Sequence, residues 1–132
     1  MIQFAFDSRE ESDYLPHNYE KNCVVYTGTH DNDTLCGWYK VLDPEDLKLS
    51  QKYMNNANTS KSEIHWDFIR LALASVADLC IIPLQDYLGL GSEARINTPS
   101  TLGNNWRWRM KQGCLTKELA DRIRALTTLY GR

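Results

Sequence analysis

Only three stretches of this chain read as β-strand, and the segments between them are too long or too helical to be hairpin turns. Ile2–Phe6 ("IQFAF") alternates and is rich in β-formers. Cys23–Thr27 is a short apolar run. Ile81–Leu84 ("IIPL") is a third, in which Pro83 is tolerable only where its strand ends. Asp7–Asn22 is polar, carries Pro16 and reads as a loop. Asp43 is a natural N-cap for a helix with Pro44 in its first position and Glu45 and Asp46 at the positive end of its dipole. That helix should fade near Met54, before the polar linker Asn55–Ser62. A longer helix is predicted over Ile64–Leu79, where Trp66, Ile69, Leu73, Val76 and Leu79 recur at three- and four-residue steps. A last helix is predicted over Thr116–Tyr130, with Thr116 as N-cap and Gly131 just past its end.

Strands separated by such connections must run parallel, with crossovers, so the class is α/β. Three strands cannot close a parallel barrel, which needs eight and typically about 250 residues. Nor is there a dinucleotide fingerprint, because "GLGSEA" (Gly89–Ala94) lacks the third glycine. The pattern is that of a piece of a larger architecture.

Composition narrows the function classes. The 132 residues carry a net charge of −2, with no basic excess to suggest a nucleic-acid partner. The longest apolar stretch, around Ile69–Leu79, is broken by Arg70, Ser75 and Asp78, so no membrane span is expected. "MIQFAFDSREE" turns acidic at once and is not a signal peptide. Cys23, Cys36, Cys80 and Cys114 form no C-x-x-C pair, and Cys23 and Cys80 read as buried small hydrophobes. The compartment expected is reducing: cytoplasmic, or a plastid if an address has been removed.

Chemistry concentrates where the second strand ends, in "VVYTGTHDND" (24–33). Local sequence leaves the reading open. His30–Asp33 can be a loop bonded to itself, with Asp31 or Asn32 capping a turn. A divalent cation at His30, Asp31 and Asp33 is a weaker reading, because adjacent residues seldom point at one ion. Trp106 and Trp108 alternate with Arg107 and Arg109. The favoured reading there is a packing pair whose arginines meet carboxylates, the alternative a tryptophan face against a sugar. His17 and His65 are expected to be structural or surface residues; Gln85 and Asp86, just past the third run, line the site or cap the next turn, the structural role being favoured. Trp38 and Tyr39 pack the rim or shape a subsite.

The stretch "YLPHNYEKNCVVYTGTHDNDTLCGWY" resembles the 4-α-glucanotransferases (amylomaltase or disproportionating enzyme, glycoside hydrolase family seventy-seven). "IQFAFD" (2–7), "SVADLCIIPLQDYLGLGSEARINTPS" (75–100), "NNWRWRM" (104–110) and "ELADRIRALTTLYGR" agree in family order. The resemblance covers essentially residues 1–132 and matches the C-terminal part of the family. It implies a (β/α)₈ TIM barrel of which this chain is not the whole: Ile2–Phe6 would be strand six, Cys23–Thr27 strand seven and Ile81–Leu84 strand eight. It further implies a retaining mechanism with an Asp nucleophile after strand four and a Glu acid/base after strand five, both on segments absent here. On this resemblance Asp31 is the third, transition-state-stabilising carboxylate, and His30 and Asn97 bind substrate. In "RINTP", Ile96 stands where other members often show Met. No metal and no cofactor are implied. The partners implied are α-1,4-glucans and the N-terminal part of the barrel. The alternative is a catalytically inactive glucan-binding or structural segment.

Overall fold

In the computed structural model, which describes residues 1–132, two short parallel strands lie against a layer of helices. Strand β1 is Val24–Tyr26 and β2 is Leu79–Ile81, in register Val24↔Leu79, Val25↔Cys80 and Tyr26↔Ile81. The helices are α1 (Leu35–Lys40), α2 (Pro44–Tyr53), α3 (Ile64–Leu73), α4 (Leu84–Tyr87) and α5 (Lys117–Leu129). Single 3₁₀ turns occupy Ile2–Phe4, Pro16–Asn18 and Ser92–Ala94. No helix is long and apolar enough to cross a membrane.

The parallel pairing predicted for the second and third runs is present. β2 starts two residues earlier than expected, and residues Leu84–Tyr87 turn into α4 instead. The first expected strand is not formed. Ile2, Ala5 and Phe6 are all buried whereas Phe4 is half exposed. Burial at steps of three and four is helical, not alternating, and the segment closes its own turn through Phe4 N→Met1 O and Ala5 N→Ile2 O. One backbone bond, Gln3 N→Thr27 O at 3.2 Å, still lays it beside the end of β1.

The core is organised around Phe68 on α3, which is fully buried. Phe6, Trp38 and Tyr39 meet its ring edge-on, with centroids 5.8, 5.2 and 5.9 Å away. Trp38 and Tyr39 therefore pack the core from α1. Helix α3 also packs against α4 and α5. Arg122 of α5 lies 4.0 Å over the Trp66 ring and bonds Glu63 Oε2 at 2.6 Å, while Leu126 closes the core. His65 is buried, and burial lowers its pKa. Cys23 and Cys80 are half-buried at the core's edge and Cys36 is buried; all four thiols are free.

Caps define the helices that the sequence delimits well. Asp43 Oδ1 accepts from Glu45 N at 2.9 Å at the start of α2, and Thr116 Oγ1 accepts from Leu119 N at 3.2 Å at the start of α5. Helix α3 stops six residues before the expected Leu79, leaving Val76 and Leu79 more than half exposed. Its last carbonyl, and two in the segment just past its end, are taken by an arginine remote in sequence. Arg132 donates from Nε to Leu73 O (2.7 Å), from Nη2 to Ser75 O (2.7 Å) and from Nη1 to Ala77 O (2.9 Å). A guanidinium satisfying three carbonyls replaces the helical turn that Val76–Leu79 could have formed.

The two faces of the strand pair differ. Val25 is buried under the helices. The opposite face shows Val24, Leu79 and Ile81, which are 43%, 52% and 41% exposed.

Arg132→Ala should lower the unfolding free energy by about 1–3 kcal/mol, because three charge-assisted bonds to backbone are lost together. Denaturant titration of the variant against the parent checks this; an unchanged midpoint would show that water replaces the guanidinium without loss.

Candidate functional site

The chain leaves β1 at Tyr26, crosses Thr27, and forms a polar loop that ends at Thr34, the N-cap of α1. Thr34 Oγ1 accepts from Gly37 N at 3.1 Å. Within the loop, Asn32 makes the turn. Its Oδ1 accepts from Thr29 N (3.0 Å) and Thr29 Oγ1 (2.8 Å), and Asn32 N returns a bond to Thr29 O (3.2 Å). The self-bonded turn expected from local sequence is thus real, and Asn32 rather than Asp31 supplies it. Asp33 accepts from Thr34 N (2.7 Å) and Ser92 Oγ (2.6 Å). A Cβ at Gly37 would strike that carboxylate and the Ser92 hydroxyl, so only glycine lets α1 approach so closely.

This leaves Asp31 with its side chain 49% exposed. Its Oδ1 accepts from Asn97 Nδ2 at 2.7 Å, and His30 Nε2 lies 3.3 Å from the same oxygen. Its Oδ2 has no partner within the chain. A carboxylate held by one oxygen and open at the other can accept a hydroxyl from a ligand or face developing positive charge. His30, Asp31 and Asn97, singled out separately in the sequence, are therefore brought together. The backbone binds them as well, since Asn97 N donates to His30 O at 3.1 Å.

Arg95 is the residue that sequence reasoning missed here. It donates from Nη2 to Asp31 O (2.7 Å) and from Nε to Asn97 O (2.8 Å), clamping the two loops. Nothing local in "EARINTP" marks it, because both acceptors are backbone carbonyls chosen by the fold. Trp106 also departs from expectation. It is 58% exposed, with its ring centroid 5.1 Å from that of His30. Trp108 is partly buried and lines a recess with Leu88, Leu90 and Ala94. Arg107 and Arg109 bond the Asn104 side chain and the Trp106 and Trp108 carbonyls rather than carboxylates. His17 is engaged with Tyr53, ring on ring and Nδ1 to Oη at 2.9 Å.

Behind the loop sits Asp86, 2% exposed. Its Oδ2 accepts from Thr27 Oγ1 at 2.6 Å and its Oδ1 from Leu35 N at 2.8 Å. Thr27 and Leu35 are the residues on either side of the polar loop, so one buried carboxylate holds both of its ends. Gln3 adds a third tie, Nε2 to Asp33 O at 2.7 Å, and Gln85 Nε2 reaches Ala94 O at 3.3 Å. Burial pushes the Asp86 carboxyl up to about 6, with the neighbouring Asp33 charge adding to the rise; the bonds from Leu35 and Thr27 oppose it.

The arrangement is an open wall, not an enclosed pocket. The space behind His30–Thr34 is about 30 Å³. A larger surface cleft, about 580 Å³, lies elsewhere, beside Phe4, Asp7, Tyr14 and Trp38. It does not contain Asp31, and the convergent polar groups, not the larger void, mark the site.

A family profile described as 4-alpha-glucanotransferase matches residues 1–116. A 4-alpha-glucanotransferase of Clostridium butyricum is 50% identical over all of this chain, which spans 27% of that relative. A chloroplastic/amyloplastic 4-alpha-glucanotransferase of Arabidopsis thaliana is 47% identical, again over all of this chain and 23% of the relative. An amylomaltase from Streptococcus agalactiae, solved in complex with acarbose, superposes with a TM-score of 0.92 at 34% identity, covering all of this chain and 26% of that structure. The chain thus spans about a quarter of the length of the relatives it matches.

The Asp86 geometry yields a pH dependence. A carboxyl whose folded pKa lies above its unfolded value binds its proton more tightly in the fold. Its contribution to stability is therefore most favourable below about pH 4, falls as pH rises to about 6, and is level above that. Asp86→Asn keeps the shape and removes the ionisation. Between pH 4 and pH 7 the unfolding free energy of the variant should gain on the parent by up to about 3 kcal/mol. A difference that stays constant over that range would show that Asp86 does not titrate as its surroundings dictate.

Proposed function

The chain belongs to the 4-alpha-glucanotransferase family, and from that premise we propose that its parent protein transfers α-1,4-linked glucan segments from a donor glucan to an acceptor glucan. Asp31 is the third carboxylate of the reaction. The observation that carries this is its half-exposed side chain, with Oδ1 oriented by Asn97 and His30 and Oδ2 unclaimed.

Cleaving a glycosidic bond passes through an oxocarbenium-like state, positive at the anomeric centre, with the sugar ring flattened. In a retaining enzyme one carboxylate attacks that centre and a second carboxyl protonates the leaving oxygen. The family resemblance assigns both to segments before this chain. Asp31 contributes what those two cannot. Its open oxygen accepts sugar hydroxyls whose bonds tighten as the ring flattens, and its charge opposes the developing cation. His30 presents a ring nitrogen to the same sugar, and Asn97 holds Asp31 while offering its own amide. Arg95 and Asp86 keep this wall from moving, which matters because an ångström of misplacement at a reacting centre can remove about a hundredfold in rate.

In the whole protein the strands are part of a (β/α)₈ barrel, to which this chain contributes the C-terminal portion. The apolar face formed by Val24, Leu79 and Ile81 is then covered by the rest of the barrel, and the polar loop stands at the carboxyl ends of the strands, where such barrels carry their sites. The ligands are maltooligosaccharides and starch or glycogen glucans, and the compartment is cytoplasmic or plastidial. The family match supports transfer over an inactive glucan-binding or structural segment.

Asp31→Asn in the full-length protein should lower maltotriose disproportionation by at least about 10²–10³-fold with no shift in thermal midpoint. Near-parental turnover contradicts the role.

A further inference from the structure

We propose that Trp106 is a sugar-stacking wall of this same site, its indole receiving the apolar face of a glucose unit next to the one held by Asp31. The proposal rests on the reading of Asp31 above and extends it to a residue that the family likeness did not single out.

Trp106 has a backbone φ of 63°, in the left-handed region. A bulky side chain there is an outlier that costs on the order of 1–3 kcal/mol and persists only where the surroundings over-determine it. They do. Trp106 N donates to Ile96 O at 2.7 Å. Thr98 N donates to Asn105 Oδ1 at 2.9 Å, and Asn105 Nδ2 donates to both Thr101 O and Thr101 Oγ1 at 3.1 Å. The segment from Asn97 to Trp106 is thus a closed loop, one end bonded to Asp31 and the other bearing the indole.

Burial does not compensate the strain, because Trp106 is 58% exposed. Trp108, two residues on, is only partly buried and lines a separate recess with Leu88, Leu90 and Ala94. Trp106 is therefore no part of the hydrophobic core. Trp106 is instead aimed at the catalytic wall, with its ring tilted 36° to His30 at 5.1 Å between centroids. The loop brings together a carboxylate, an amide, an imidazole and an aromatic surface. That set suits a pyranose, whose hydroxyls lie around its rim and whose C–H groups form its faces. A nucleobase partner fits poorly. Arg107 and Arg109 are spent on Asn104 and on backbone carbonyls, and the imidazole against the indole sits beside the Asp31 carboxylate.

The test uses the full-length protein with maltotriose, kinetically and by calorimetric titration in the Asp31→Asn background. Trp106→Ala should weaken binding about tenfold, as KM in the active protein and Kd in the inactive one, with kcat changed less than about threefold. Trp106→Phe should restore binding to within about threefold. Trp106→Gly should bind as weakly as the alanine variant while its thermal midpoint equals or exceeds the parent's, because glycine relieves the left-handed backbone. Binding by Trp106→Ala within threefold of the parent overturns the proposal. So does a lowered midpoint together with a loss of kcat at unchanged KM, which would make Trp106 a packing residue. Retained turnover by Asp31→Asn alone would overturn the reading of Asp31, and KM in the Trp106 variants would still decide the role of Trp106.

Discussion

One buried carboxylate governs how this surface is built. Asp86 accepts from Thr27 at the end of β1 and from Leu35 at the start of α1, and everything between those two residues is the polar loop. A loop of seven residues with free ends would sample many conformations, at roughly 1–2 kcal/mol of entropy per residue ordered. Fixing both ends to one group removes most of that freedom before any local bond forms. The bonds of Asn32 to Thr29 and of Asp33 to Ser92 then finish the loop, and Asp31 is the residue left pointing outward.

The same logic runs through the second half of the wall. Arg95 holds the carbonyls of Asp31 and Asn97, so the loop after β1 and the loop after α4 move as one unit. Desolvation works against this arrangement, since it raises the Asp86 pKa and disfavours its charged form. The charged form nonetheless makes the stronger bonds to Thr27 and Leu35. A site that must hold an exposed carboxylate still is a reasonable place to retain a buried one at some loss of stability.

Parts of this were legible in the sequence because the signals are local. Asp43–Pro44 and Thr116 mark helix starts by their own side-chain chemistry, and α2 and α5 begin where those residues say. The parallel pairing of the second and third runs follows from the length between them. Other parts depend on distant partners. Val76 and Leu79 continue the spacing of α3, yet Arg132 ends the helix from the far end of the chain. Ile2–Phe6 alternates on paper but buries Ile2, Ala5 and Phe6 together. At the site, the polar cluster at His30–Asp33 is legible locally and motif likeness implies roles for His30, Asp31 and Asn97, but the bond that joins Asn97 to Asp31 is not legible in the sequence. Asn32 is turned in by its local bonds to Thr29, but the contacts that set Asp31 against Asn97 and Trp106 against His30 join residues far apart in the chain, and no local pattern encodes them.

The central claim is that the free oxygen of Asp31 faces a glucose unit at a cleavage centre. A crystal structure of the full-length protein with a bound maltooligosaccharide tests it most directly. The account predicts Asp31 Oδ2 within hydrogen-bonding distance of ring hydroxyls on a glucose lying against His30. A sugar bound elsewhere, or an Asp31 side chain rotated away from it, would contradict the account.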